Sequence, residues 1–314
     1  MDSPEVYNVK QQFYLGAFKT LVDLTLPDPS SNDYVPTLLY KARAHIALGD
    51  PKPVSSLIPS ETENFALKAV SSLASYVSGE AADAPLEELR DLCVEIEGDD
   101  AEATEREKGW VRVLAGTAFA RAGEVEEALE TLGAETSTEN LEGVAVIVQI
   151  YLSIHRADLA RKEFERAKHW AEDDLLLQLI EASIVLVTGK DSYADCNSFY
   201  TEQLANPSLS SSHLLTARGV TRLLRGEIAE AKSDLEEAVT QQGGKEDEET
   251  LAASVVAARL GTGTKKGDAD QLWSRLASEY PNHPLVTDVN AKADQFDELA
   301  AKFKVPPLAI PTAA

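Results

Sequence analysis

Residues 114–132 read "LAGTAFARAGEVEEALETL": Gly116, then Gly123, then Ala128, then Leu132. A second stretch, residues 216–238, reads "TARGVTRLLRGEIAEAKSDLEEA" and sets Gly219, Gly226, Ala231, Leu235 and Ala238 at the same spacing. Residues 180–199, "IEASIVLVTGKDSYADCNSF", repeat it with Ala182, Gly189 and Ala194. Weaker copies are Ala42, Gly49 and Val54, and Val148, His155 and Ala160. The spacing describes a helical hairpin. A small residue in the first helix admits the second helix, and a Gly ends the first helix in the left-handed conformation that costs it no Cβ clash. A small residue early in the second helix then accepts the first, and a large apolar one a turn later fills the groove between them.

Extended along the chain, the pattern places turns at Gly16, Gly49, Gly79, Gly123, His155, Gly189, Gly226 and Gly261. They lie 30–37 residues apart, save for one interval of 44 between Gly79 and Gly123. A tetratricopeptide unit is about 34 residues. The long interval holds "EIEGDDAEATEREKG" (95–109), expected to be an acidic surface loop or an extended helix end. "GTGTKKGD" (261–268) is expected to lengthen the turn of the last hairpin. Pro27 with Pro29, Pro59, Pro207, and Pro281 with Pro284 each follow an expected second helix, where a chain cannot continue helical. Strand signals are poor, and "GVAVIVQIYL" fits a buried first helix. The pattern predicts an all-α, right-handed α-solenoid of tetratricopeptide-like hairpins, curved or ring-like, in which neighbours bury each other's faces. A single array of about eight hairpins plus a C-terminal helix is expected over 1–304, with an extended tail over 305–314.

The totals restrict function. A net charge of −24 disfavours nucleic-acid backbones and anionic membrane surfaces as partners. With two cysteines, Cys93 and Cys196, far apart in helical patterns, buried reduced thiols are expected rather than a disulfide framework. The polar "MDSPEVYNVKQQF" start has no apolar signal-peptide core, and no apolar run approaches the ~18 residues a membrane span needs. "YLSIHRADLARKEFERA" (151–167) comes within one residue of the H-R-D-L catalytic loop of protein kinases. Ala157 breaks its spacing, Glu163 stands where that loop carries Asn, and no G-x-G-x-x-G or D-F-G accompanies it. The stretch reads instead as a hairpin turn. His155 replaces Gly, Asp158 caps or starts the next helix, and Ala160, Phe164 and Ala167 form its packing face. Arg161 and Lys162 are expected to lie on a solvated stripe beside Glu163 and Glu165. "GTGTKKGD" has neither the spacing nor the preceding strand of a phosphate loop. His45, His155, His169, His213 and His283 never pair at helical ligand spacing, and no G-x-S-x-G is present. No enzyme, metal or cofactor is expected.

Four strings carry a resemblance to a known family: "NVKQQFYLGAFK" (8–19), "VQIYLSIHRADLARKEFERA" (148–167), "LLTARGVTRLLRGEIAEAKSDLEEAV" (214–239) and "SEYPNHPLVTDVNAKADQFDEL" (278–299). They resemble, in the expected order, the epsilon subunits of coatomer, the COPI vesicle coat. The F-Y-L-G string and the terminal H-P…A-K…F-D block are not generic tetratricopeptide features and make the likeness specific. The 95–109 and 261–268 stretches depart from the family pattern. The resemblance implies a non-catalytic coat subunit that binds and stabilises the C-terminal domain of the alpha-coatomer subunit. It further implies Golgi-to-endoplasmic-reticulum retrograde and intra-Golgi transport, in the cytoplasm and peripherally on Golgi membranes and COPI vesicles.

In tetratricopeptide arrays the first helix of each hairpin lines the concave face. The register of Ala42, Gly116, Ala182 and Gly219 places Leu39, Ile46, Trp110, Val113, Leu152, Leu179, Leu186, Val220 and Leu223 inward, as the candidate partner-binding surface. An apolar wall of that kind commonly marks a partner site. The rival within the same fold is a co-chaperone or adaptor gripping another peptide, such as an acidic C-terminus. That role needs several inward cations, and of the equivalent positions only Arg43 supplies one.

Overall fold

The computed structural model describes residues 2–59, 61–79, 83–98, 102–136, 139–189, 193–207, 209–244, 246–261 and 266–303. The expected 305–314 tail and residues 262–265 of the 261–268 turn lie outside the described residues. Among those described there are α-helices and no strand. In chain order they are α1 (Pro4–Tyr14), α2 (Phe18–Asp23), α3 (Tyr34–Ala47), α4 (Val54–Leu57), α5 (Phe65–Ser78), α6 (Ala84–Glu95), α7 (Glu105–Ala122) and α8 (Val125–Leu132). There follow α9 (Leu141–Ser153), α10 (Ala157–Lys168), α11 (Leu175–Thr188), α12 (Tyr193–Leu204), α13 (Ser212–Leu224), α14 (Ile228–Gln241), α15 (Glu248–Leu260), α16 (Lys266–Glu279) and α17 (Pro284–Ala300). The all-α class is as the sequence predicts, and the helices pair odd with even into hairpins, with α17 left over.

Each boundary has a local cause. Side-chain oxygens of Ser3, Asn64, Asn140, Asp174 and Asp247 accept from early amides of α1, α5, α9, α11 and α15. Each thereby satisfies a donor the helix itself leaves unpaired. Thr104 and Glu107 form a reciprocal capping box at the start of α7. The acidic stretch is therefore partly a helix end, since its residues from Glu105 onward are the first turns of α7. Left-handed φ values occur at Gly16, Gly49, Gly79, Gly123, Gly189 and Gly226, and at His155 with φ 61°. The eighth expected turn is corrected. Gly261 is extended, with φ −72° and ψ 133°, so α15 ends there without a left-handed cap.

Within hairpins the small-to-large pairing is literal. A Cβ on Gly116 would lie 2.5 Å from Leu132 Cγ, and one on Gly219 would lie 3.2 Å from Leu235 Cγ. The larger core gathers Leu38, Val70, Leu89, Phe119, Ile147 and Ile180 from successive hairpins, with Ala42, Ala128, Ala160 and Ala167 fully buried at the helix contacts. Two compact units emerge, 1–214 and 215–314. The second has its own apolar centres, Leu251, Val255, Leu276 and Val286 in one and Leu235, Ala253 and Ala257 in the other.

The kinase-like stretch is the turn between α9 and α10. His155 N donates to Leu152 O and Arg156 N to Tyr151 O, closing the end of α9. Asp158 starts α10 rather than capping it: Arg156 occupies the cap, and Asp158 lies in the first turn, paired with the Arg156 guanidinium at 2.7 Å. That hydrogen-bonded pairing holds the Asp158 carboxyl down at about 2. One side chain departs from expectation. Glu163 is not solvated but 2% exposed, accepting from Glu135 N and from Arg166. It stands three residues after Ala160 and four before Ala167, so helical periodicity turns it onto the same packed face.

Three substitutions test this geometry. Gly116→Ala should lower stability by about 1–3 kcal/mol, because the overpacking outweighs the better helix propensity of Ala. Gly219→Ala, with a longer contact, should cost clearly less. His155→Gly should stabilise by roughly 0.5–1 kcal/mol by relieving the left-handed β-carbon. Urea unfolding midpoints measure all three.

Candidate interaction surfaces

The nine inward residues predicted from the repeat register do not share one fate. Leu39, Ile46, Trp110, Val113 and Leu152 are buried in the core of the first unit. Neighbouring hairpins already cover these five, leaving each less than a tenth exposed. The reason lies in the stacking, since first helices of adjacent hairpins press against each other as well as against their own partners. Leu179 and Leu186 of α11 remain half-buried, as do Val220 and Leu223 of α13, the latter two against Leu235, Ala253 and Ala257. These four retain apolar surface. The structure does not bring all nine together.

A site the repeat pattern does not announce stands in the first unit. Glu142, at the start of α9, is buried and accepts from three donor groups on two distant helices. Tyr14 Oη of α1 donates to Oε1 at 2.9 Å, Tyr40 Oη of α3 donates to the same oxygen, and Arg43 Nη1 donates to Oε2 at 2.6 Å. The Arg43 guanidinium also stacks over Phe13 at 4.5 Å and over Tyr40 at 5.1 Å. Burial pushes the Glu142 carboxyl upward, but the Arg43 charge and the three donors outweigh it and leave it below the ordinary carboxylate range. Burial, followed by the Glu142 charge, drives both tyrosine hydroxyls well above their ordinary value. Arg43 is held more firmly protonated despite desolvation, because Glu142 faces it.

This clamp fixes where the first hairpins sit. Asp2 pairs with Arg106 of α7 at 2.8 Å, and Ser211 Oγ donates to Leu15 O at 2.5 Å. A Cβ on Gly16 would strike the His213 side chain at 2.6 Å. Within unit 1 the N-terminal hairpin thus closes against α7, α9 and the segment entering α13. The one inward cation the sequence offered, Arg43, is consumed internally and is unavailable to grip an acidic peptide.

The second unit has a comparable polar tie and an open groove. Arg218 donates twice to Asp234, at 2.7 and 3.0 Å, and Arg222 adds a third bond at 2.7 Å, joining α13 to α14 around a buried carboxylate. A cavity of about 480 Å³ opens among α14, α15 and α16, floored by Leu235, Val239, Ala257 and Leu272 and rimmed by Glu236 and Asp268. Among the described residues no cluster of His, Cys, Asp and Glu could hold a metal, and no helix is long and apolar enough to cross a membrane. Neither cysteine forms a disulfide, and burial pushes the Cys93 thiol up to about 11.

Sequence reading singled out Arg43 but missed its partner. Glu142 follows the Asn140 cap in an otherwise apolar helix, "LEGVAVIVQIYLS", and a lone carboxylate at that place is the only signal available. Glu142→Gln should cost about 3–5 kcal/mol by leaving a buried guanidinium unpaired. Glu142→Gln with Arg43→Met, which removes both charges, should cost less than the single change. Because the folded carboxyl is depressed, its stabilisation is present above the unfolded value of about 4.3 and is lost as pH falls through the folded value. The gap in urea midpoint between wild type and Glu142→Gln should therefore close below about pH 4.

Comparison with known proteins places this arrangement. A solved tetratricopeptide repeat protein from Parabacteroides merdae superimposes with a TM-score of 0.53 at 15% identity, covering 80% of this chain and 95% of that one. That likeness supports the hairpin fold alone. Coatomer subunit epsilon-1 of Arabidopsis thaliana is 28% identical over 95% of this chain and 97% of its own. The probable coatomer subunit epsilon of Schizosaccharomyces pombe is 27% identical over 96% of each chain, and that of Caenorhabditis elegans 26% identical over 95% and 98%. The family model described as coatomer epsilon subunit matches residues 2–304, from the N-terminal hairpin through α17, and the chain belongs to that family.

Proposed function

We propose that this chain is a non-catalytic structural subunit of the COPI coat that binds and stabilises the C-terminal domain of the alpha-coatomer subunit. It would thereby support Golgi-to-endoplasmic-reticulum retrograde and intra-Golgi transport, working in the cytoplasm and peripherally on Golgi membranes and coated vesicles. The observation that carries the reading is the family match over residues 2–304, supported by relatives aligned end to end. The chemistry is compatible. A chain of net charge −24 is repelled by anionic lipid and by nucleic acid, so a protein partner is the natural ligand. The half-buried Leu179 and Leu186 of α11, and Val220 and Leu223 of α13, are the first-helix positions that could still gain burial on binding, at about 1.5–3 kcal/mol for each side chain fully covered. A co-chaperone reading is disfavoured by one specific observation, the internal pairing of Arg43 with Glu142.

Co-expression with an alpha-coatomer C-terminal domain should give a stoichiometric complex that survives gel filtration at micromolar concentration. Separate elution would overturn the partner assignment. Leu186→Asp and Leu223→Asp, introduced singly, should each weaken the complex while far-ultraviolet circular dichroism stays unchanged. Undiminished binding by both would move the seat away from the first-helix faces.

A further inference from the structure

The helix α17 begins as part of the second unit and then leaves it. Val286 is buried beside Leu276 and Val255, and Leu285 packs with it. Every described residue from Thr287 to Phe303 is exposed. That is a full amphipathic helix, about 25 Å long at the helical rise, held among the described residues only by its first turn. Its apolar residues are not scattered. Val286, Val289, Ala293, Phe296, Ala300 and Phe303 follow one another at alternating steps of three and four, the spacing of a coiled-coil seam. Val289 is 40% exposed, Phe296 70%, and Phe303, just past the last helical turn, 76%. Leu299, 49% exposed, broadens the stripe beside Phe296.

A seam this narrow selects its occupant. A broad apolar face would bury against a sheet or several helices, whereas a strict three–four alternation presents knobs to a single facing helix. Charge then restricts which helix. Around Phe296 stand Asp294, Asp297 and Glu298, with no Lys or Arg between Ala293 and Ala301. A second copy of this chain would bring a further net −24 and the same carboxylates against these, and an anionic lipid surface would be repelled likewise. We infer that the exposed seam of α17 is a docking site for one amphipathic helix of another protein, with a basic rim flanking its apolar stripe. The seam involves none of the first-helix residues considered above. It is continuous with the core at Val286, so a docked helix would extend the second unit's apolar packing along α17.

The test uses the full chain and two synthetic peptides with the same leucine seam. One carries Lys at every position flanking the seam, whose mutual repulsion keeps it monomeric, and the other carries Glu there. Fluorescence anisotropy at physiological ionic strength should show micromolar binding of the Lys peptide and none of the Glu peptide. Phe296→Ser with Phe303→Ser should weaken that binding about tenfold or more, since central aromatic anchors dominate such interfaces. Both side chains are exposed, so the variant should melt with wild type. No binding of the Lys peptide, equal binding to the double variant, or equal binding of the Glu peptide would each overturn the proposal. Sedimentation of the peptide-free chain should show a monomer. A dimer abolished by the same two substitutions would assign the seam to a second copy and overturn it equally.

Discussion

The close approach of paired helices is the constraint on which the rest of the structure depends. At Gly116 a single added carbon would sit 2.5 Å from Leu132, so α7 and α8 can lie where they do only because that position has no side chain. Setting two helices so near leaves no room for a wide loop, and the chain reverses through one left-handed residue. That residue is glycine in six turns and histidine in the seventh. Once hairpins are this thin, the second helix of each can lie against the first helices on either side. The core then runs on from hairpin to hairpin instead of closing around a single centre.

Apolar stacking of that kind is non-directional and specifies neighbours poorly. The buried carboxylates add the missing direction. Glu142 can be satisfied only if α1 and α3 bring Tyr14, Tyr40 and Arg43 to it together, and Asp234 only if α13 brings Arg218 and Arg222. A register slip in either place would leave a buried charge without partners, a penalty larger than most apolar mismatches. The clamp around Glu142 also explains why the N-terminal hairpin, with its small helix α2, stays closed against α9.

Local features of this design were legible in the sequence, and long-range ones were not. The Gly116–Leu132 pairing, the prolines after second helices and the left-handed role of His155 each follow from rules acting over one turn or one hairpin. Gly261 misled because the repeat spacing persisted where the turn chemistry did not. Glu163 misled because charge was read ahead of helical phase, although phase alone turns it inward. The Glu142 clamp joins residues about a hundred positions apart, and nothing in a repeat pattern encodes which carboxylate meets which arginine. The inward register carries no information on which of its positions neighbouring hairpins cover. Leu39, Trp110 and Val113 do point away from solvent, but neighbouring first helices fill the space that an isolated hairpin would leave open.

The functional account joins these strands. A scaffold of stacked hairpins, acidic overall, keeps its inward arginine to itself and belongs to the coatomer epsilon subunit family over nearly its whole length. Its apolar surplus lies on half-buried first-helix positions and on α17. Affinity purification of the tagged chain from its own cells, with the recovered proteins quantified by mass spectrometry, tests this most directly. The account predicts the alpha-coatomer subunit in near-equal amount, with the remaining coatomer subunits beside it. Recovery of chaperones in their place, with coatomer subunits at background, would contradict it.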